Sequence, residues 1–158
     1  MKHPVFSGKV RAAGRNDLAA VLDMVAQLAA YHGDVATLTP DQLMRYMEGP
    51  EPWVRLLLAE ERGRALGYAA LTPWSQMQFG VRGMDMHHLF VVPEARERGV
   101  GRALIAASER IARQGGCHYL SVGTHPDNAR AQEIYRGMGF EELDPPGPRF
   151  RIRLAAAS

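Results

Sequence analysis

The stretch Leu89-Phe-Val-Val-Pro-Glu-Ala-Arg-Glu-Arg-Gly-Val-Gly-Arg-Ala-Leu104 decides how the rest of the chain is read. Leu89 to Val92 is an apolar run, and Pro93, which has no N–H to give to a sheet ladder, stops it. Arg96, Arg98, Gly99, Gly101 and Arg102 then make a short basic loop. The loop runs into a helix whose apolar positions Val100, Leu104, Ala107 and Ile111 recur at helical spacing. A strand feeding a glycine loop at a helix N-terminus gathers unpaired N–H groups in one place. The helix dipole and the arginines surround them with positive charge, so the site suits a phosphate or pyrophosphate.

Three loop designs bind such anions. A Walker A loop ends in Gly-Lys-Ser/Thr, and here the chain has Gly101-Arg102-Ala103. A dinucleotide fingerprint needs a third glycine where Leu104 stands. The pattern Arg/Gln-x-x-Gly-x-Gly/Ala is met at every fixed position by Arg96-Glu97-Arg98-Gly99-Val100-Gly101. That segment resembles motif A of the GNAT superfamily, the acetyl-CoA-dependent N-acetyltransferases, where this loop holds the coenzyme A pyrophosphate. Downstream, Pro126-Asp127-Asn128 opens a short helical run that Gly139 ends, and Asn128 and Tyr135 project from one side of it, two turns apart. This N-x6-Y, followed by Gly137-Met138-Gly139-Phe140, looks like motif B of the same superfamily.

The resemblance implies a cofactor and a set of roles. Acetyl-CoA is the acetyl donor, with its pyrophosphate on Arg96, Arg98, Gly99, Val100, Gly101 and Arg102. The pantetheine arm meets Asn128 and the strand edge at Phe90, Val91 and Val92, as an added strand would. The Tyr135 hydroxyl lies near the sulfur as a proton donor to the leaving thiolate. The fold implied is an α/β arrangement, a splayed central mixed sheet flanked by helices.

The rest of the chain fits that plan. Strands are expected at Val5–Ala13, Trp53–Glu61, Leu66–Trp74, Met84–Val92, Tyr119–Thr124 and Phe150–Leu154. One helix follows Asp17, with an apolar stripe of Leu18, Val21, Leu22, Val25, Leu28 and Ala29. A second opens at Thr39-Pro40-Asp41-Gln42, where Thr39 caps, Pro40 fits the first turn and Gln42 completes a capping box. In the superfamily these two helices wall the acceptor site, which brings Tyr31, His32, Asp34 and Tyr46 forward as substrate contacts.

Acyl transfer to an amine also needs a base. Strict strand alternation places Asp85, His87 and Leu89 on one face and Met86, His88 and Phe90 on the other. An imidazole titrates near neutrality, so His87 is the candidate base, with Asp85 acting directly or orienting it. His88 is assigned to the substrate. No sequence-local ligand spacing unites His87, His88, His118 and His125, so no metal is expected. The chain looks most like diamine and polyamine N-acetyltransferases, which typically carry Glu-Asp where this one has His87-His88. Two histidines attract a polyamine poorly, so the expected acceptor is a small amino-acid-like or diamine-like amine. A non-catalytic acyl-CoA sensor, or an enzyme acting on a protein or tRNA amine, is the alternative.

At 158 residues the chain reads as one domain, 1–158, with a full core. A net charge of +2 gives no nucleic-acid footprint. There is no apolar run of membrane-spanning length, and Met1-Lys2-His3-Pro4 precedes no apolar signal region. The single Cys117 excludes an internal disulfide. These features lead to the expectation of a cytoplasmic protein; homodimerisation is implied by the superfamily.

Overall fold

The computed structural model describes residues 2–155. Its elements are β1 (Lys9–Ala12), α1 (Leu18–Tyr31), α2 (Pro40–Met47), β2 (Arg55–Glu61), β3 (Arg64–Gln76), β4 (Val81–Val91), α3 (Val100–Gln114), β5 (Tyr119–Val122) and α4 (Ala129–Gly137). By its contacts the chain forms one unit up to Gly123 and a second, smaller one from Thr124 onward.

In the first unit the sheet order is β1-β2-β3-β4-β5. The strands β1 to β4 are antiparallel neighbours, and β5 joins β4 in parallel. Local chemistry accounts for the elements. Thr39 accepts from the Gln42 N–H at 3.2 Å while the Gln42 side chain accepts from the Thr39 N–H at 2.9 Å, the reciprocal cap expected of that sequence. Arg62 and Gly63, both at positive φ, turn β2 back into β3. Gly80, left-handed, ends the 3-10 turn Met77–Phe79 and starts β4.

The core fills both faces of the sheet. Leu56, Leu57, Leu58 and Ala59 of β2 are all buried, as are Leu66, Tyr68, Ala69, Ala70 and Leu71 of β3, so these runs read as continuous apolar segments rather than alternating ones. On one face α3 lays down Val100, Leu104, Ile105, Ala107, Ser108 and Ala112, with Leu104 over Gly67. Ile111, expected in that stripe, is only half-buried. On the other face α1 and α2 pack through Val21, Met24 and Leu43.

Two features of β4 differ from the expectation. The register with β3 shifts between Ala70↔His88 and Leu71↔Met86, which leaves His87 as an extra residue, a β-bulge. Pairing with β5 runs only from Gly83↔Tyr119 to Met86↔Val122, so β4 continues to Val91 with one edge paired by no strand among the described residues.

In the second unit Asn128 caps α4 by accepting from the Ala131 N–H at 3.1 Å, and the Tyr135 ring packs on Phe140 at 5.6 Å between centroids. The strand expected at Phe150–Leu154 does not form. Residues 140–155 carry no regular structure, and Phe150, Ile152 and Leu154 are 93, 84 and 85% exposed. Alternation of arginines with apolar residues supplies strand propensity, but a strand also needs a hydrogen-bonding partner, and none pairs with this segment among the described residues.

Candidate functional site

The unpaired stretch of β4 has definite polarity. The Val92 N–H bonds the Leu66 C=O at 2.9 Å, so by antiparallel alternation Phe90 bonds Tyr68 and His88 bonds Ala70. The N–H and C=O groups of Leu89 and Val91 therefore face the open edge. In agreement, Arg96 reaches back and donates through Nε to the Val91 C=O at 3.1 Å. Phe90 was expected on this edge. Its backbone instead serves β3, and its ring is buried 6.2 Å from that of Tyr68.

At the C-terminal end of that edge stands the start of α3. Its ladder begins with the Ala103 N–H on the Gly99 C=O at 3.0 Å, and no side chain caps it. The N–H groups of Val100, Gly101 and Arg102 thus precede the first intrahelical bond. The two glycines of the loop have different reasons to be glycine. Gly99 has φ +85°, and a Cβ on it would lie 2.4 Å from the Pro4 C=O and 2.9 Å from the Phe6 nitrogen. Gly101 carries ordinary helical geometry, and its Cβ would meet nothing closer than Val91 Cγ2 at 3.8 Å. The protein's own packing therefore leaves room for a side chain at 101. A bare backbone there leaves space for an outside group to approach the N–H cluster, and so fits an anion. Arg98 is already committed: its guanidinium pairs with Glu61, which also accepts from Ser7.

At the other end of the open edge lies a cleft of about 560 Å³. The bulge builds its floor. Because His87 is the inserted residue, His87 and His88 both line the cleft, with rings stacked 4.3 Å apart at 16°. This overturns the strict alternation expected of the strand, in which they faced opposite ways. Asp85 is paired with Thr72 and accepts from the Ser121 hydroxyl at 2.8 Å, so it braces β5 and has no bond to His87. Behind the pair, Tyr68 is fully buried, and its hydroxyl is 2.9 Å from His88 Nδ1. Burial pushes the Tyr68 hydroxyl above its ordinary range, so it keeps its proton and donates, which leaves the His88 proton on Nε2. Burial, reinforced by the nearby His87 and His32, brings His88 down to about 4, so it is neutral around pH ~7. His87 is exposed to the cleft.

One wall of the cleft is the α1 face Val21, Val25, Leu28, Ala29 and His32. Tyr31 lies off that face and is 70% exposed, its ring edge-on to that of His32 with 5.6 Å between centroids. Asp34, Tyr46 and Trp53 continue the lining.

Residues 23–140 match the acetyltransferase (GNAT) family. The chain belongs to that family. It is 30% identical over 135 residues to the uncharacterised N-acetyltransferase YhfO of Bacillus subtilis, covering 84% of this chain and 89% of that one. It is 28% identical to the L-methionine sulfoximine/L-methionine sulfone acetyltransferase of Salmonella typhimurium, over 83% of this chain and 78% of that one. Among solved structures, the aminoglycoside N-acetyltransferase AAC(6')-Iy in complex with CoA superposes with a TM-score of 0.72 at 24% identity, covering 92% of this chain and 100% of that one. This GNAT chain is accordingly an N-acetyltransferase.

Within the first unit of the GNAT domain the structure brings together Val91, Arg96, Val100, Gly101 and Arg102 at one end of the β4 edge, and His87, His88 and His32 at the other; Val92, expected on that edge, is buried and turns its N–H to Leu66 of β3 instead. Asn128 and Tyr135 belong to the second unit, where burial raises the Tyr135 hydroxyl above its ordinary value. Leu89, Tyr68 and Trp53 were placed in strands by the sequence but not among the expected site residues. Strand alternation from Leu66 signals Tyr68 as inward-facing; Leu89 depended on the hydrogen-bond phase of the ladder, which no residue type encodes.

Proposed function

We propose that the chain moves the acetyl group of acetyl-CoA to the amine of a small molecule by direct attack within a ternary complex. The observation that carries this reading is the open edge of β4, which runs from an uncapped helix N-terminus to a histidine-floored cleft. The pyrophosphate binds the Val100–Arg102 N–H groups, with Arg96 and Arg102 adding charge. The pantetheine amides pair with Leu89 and Val91 as a further strand. Asn128 meets the pantetheine arm.

The acceptor enters the cleft, and His87 takes a proton from its ammonium or from the attacking nitrogen. Nitrogen then bonds the thioester carbon, and a backbone N–H of β4 stabilises the oxyanion. The C–S bond breaks, and Tyr135, whose raised pKa keeps it protonated, returns a proton to the thiolate. Asp85 supports this strand from beneath and is a positioning residue rather than the base. The same reading carries a cytoplasmic homodimer, which a monomeric mass by light scattering would overturn.

The test is calorimetric titration with acetyl-CoA followed by thiol release against a panel of amines. Binding together with release is expected. Failure to bind would remove the loop assignment, and binding without release to any small amine would remove the small-molecule reading.

A further inference from the structure

Resting on that reading of the cleft, we infer that the acceptor is a carboxylate-free amine with an apolar or aromatic body, of the arylalkylamine kind, and not an amino acid. The cleft's size, about 560 Å³, lies in the range of small-ligand sites, roughly 300–1,000 Å³. Its walls are aliphatic on the α1 side, through Val25 and Leu28, and aromatic on the other, through Tyr46 and Trp53. Such walls hold a ring by area and stacking geometry.

Charge decides the rest. Among the described residues no lysine or arginine lines the cleft, and Asp34 is the only carboxylate there. An incoming ammonium is therefore attracted. An α-carboxylate would find hydroxyls and imidazoles (Thr37, Thr72, His32) but no guanidinium or ammonium to receive it, and would meet Asp34 as a like charge. His87 cannot act as that counter-ion, because it must be neutral to take the amine's proton. His88 is neutral and already bonded to Tyr68 through Nδ1. A diamine or aminoglycoside carries further ammonium groups, and one carboxylate in a mostly apolar lining leaves most of them unpaired.

Matched pairs that differ only by a carboxylate make the test: tryptamine against tryptophan, and 2-phenylethylamine against phenylalanine. Thiol release is followed with saturating acetyl-CoA at about pH 8, where imidazoles are neutral. Each amine is expected to exceed its amino acid in kcat/KM by tenfold or more. Asp34→Asn, on an exposed loop, should raise KM for the amines several-fold, change kcat by less than twofold, and narrow the gap to the amino acids. Amino acids turned over as well as their amines would overturn the inference. So would turnover of putrescine or kanamycin without turnover of the arylalkylamines, although that outcome would leave small-amine transfer standing. No release with any of these amines, despite acetyl-CoA binding, would overturn both.

Discussion

The two ends of the β4 open edge are built on opposite principles. The proposed donor end is local: strand, proline, loop and helix N-terminus follow one another within Leu89–Leu104, and it presents backbone N–H groups. The acceptor end is assembled from α1, the loop after it, α2, β3 and β4, and its side chains determine what binds. A site made of contiguous backbone is set by a short pattern and tolerates change elsewhere. A cleft made of distant side chains can be respecified without disturbing the fold.

Substitutions at the two ends should therefore fail in different ways. Gly101→Asp should have the largest effect, placing a carboxylate among the N–H groups meant for phosphate. Acetyl-CoA affinity is expected to fall by about a hundredfold or more, as for a like charge replacing a charge-assisted contact. Undiminished affinity by calorimetry would break the donor-end assignment. His87→Ala should lower kcat by roughly 10²–10³-fold while leaving acetyl-CoA binding intact, the loss expected of a general base. Equal loss of donor affinity would show that the ends are not separable. Tyr135→Phe should lower kcat by about tenfold or more, again with donor affinity kept; wild-type turnover would remove it as the acid.

The paired glycines sharpen the comparison within the loop itself. Gly99→Ala should destabilise by on the order of 2 kcal/mol, since it combines a left-handed φ with a Cβ against the Pro4 carbonyl. Gly101→Ala should instead hold or raise the melting temperature, because alanine is the better helix former by up to about 1 kcal/mol. Its cost should appear only as weaker acetyl-CoA binding. Thermal melts with and without acetyl-CoA distinguish the two.

A last effect, visible only in acid, belongs to the cleft floor. Burial holds His88 down to about 4 in the folded chain, against an ordinary imidazole value of 6.5. Between those values the unfolded chain binds more protons at this site than the folded one, so stability falls as pH drops through that window and is fully present above it. His88→Asn should flatten that slope in melts taken across the window. An unchanged slope would mean that the Tyr68 pairing and burial do not hold the ring neutral.

The same contrast explains what the sequence disclosed. The loop, the cap at Thr39 and the Asn128 cap are local patterns, and each appears as expected. The face carried by His87 and His88 was not legible, because a bulge depends on how ten residues of β3 register against β4 and no residue of β4 announces it. Tyr31, brought forward by the superfamily's helical wall, is exposed and outside the cleft lining, because the angle around the helix axis decides where the ring points. The Phe150–Leu154 segment shows the remaining limit: propensity without a partner is not a strand.

The contact between Gly99 and the segment Pro4–Phe6 bears on how the protein is handled. Residues ahead of β1 form the outer wall of the turn that presents the Val100–Arg102 N–H groups, and Ser7 shares Glu61 with Arg98. An affinity tag or fusion partner joined in front of Pro4 is thus attached beside that turn, and on the proposed reading acetyl-CoA affinities of tagged and untagged protein are expected to differ.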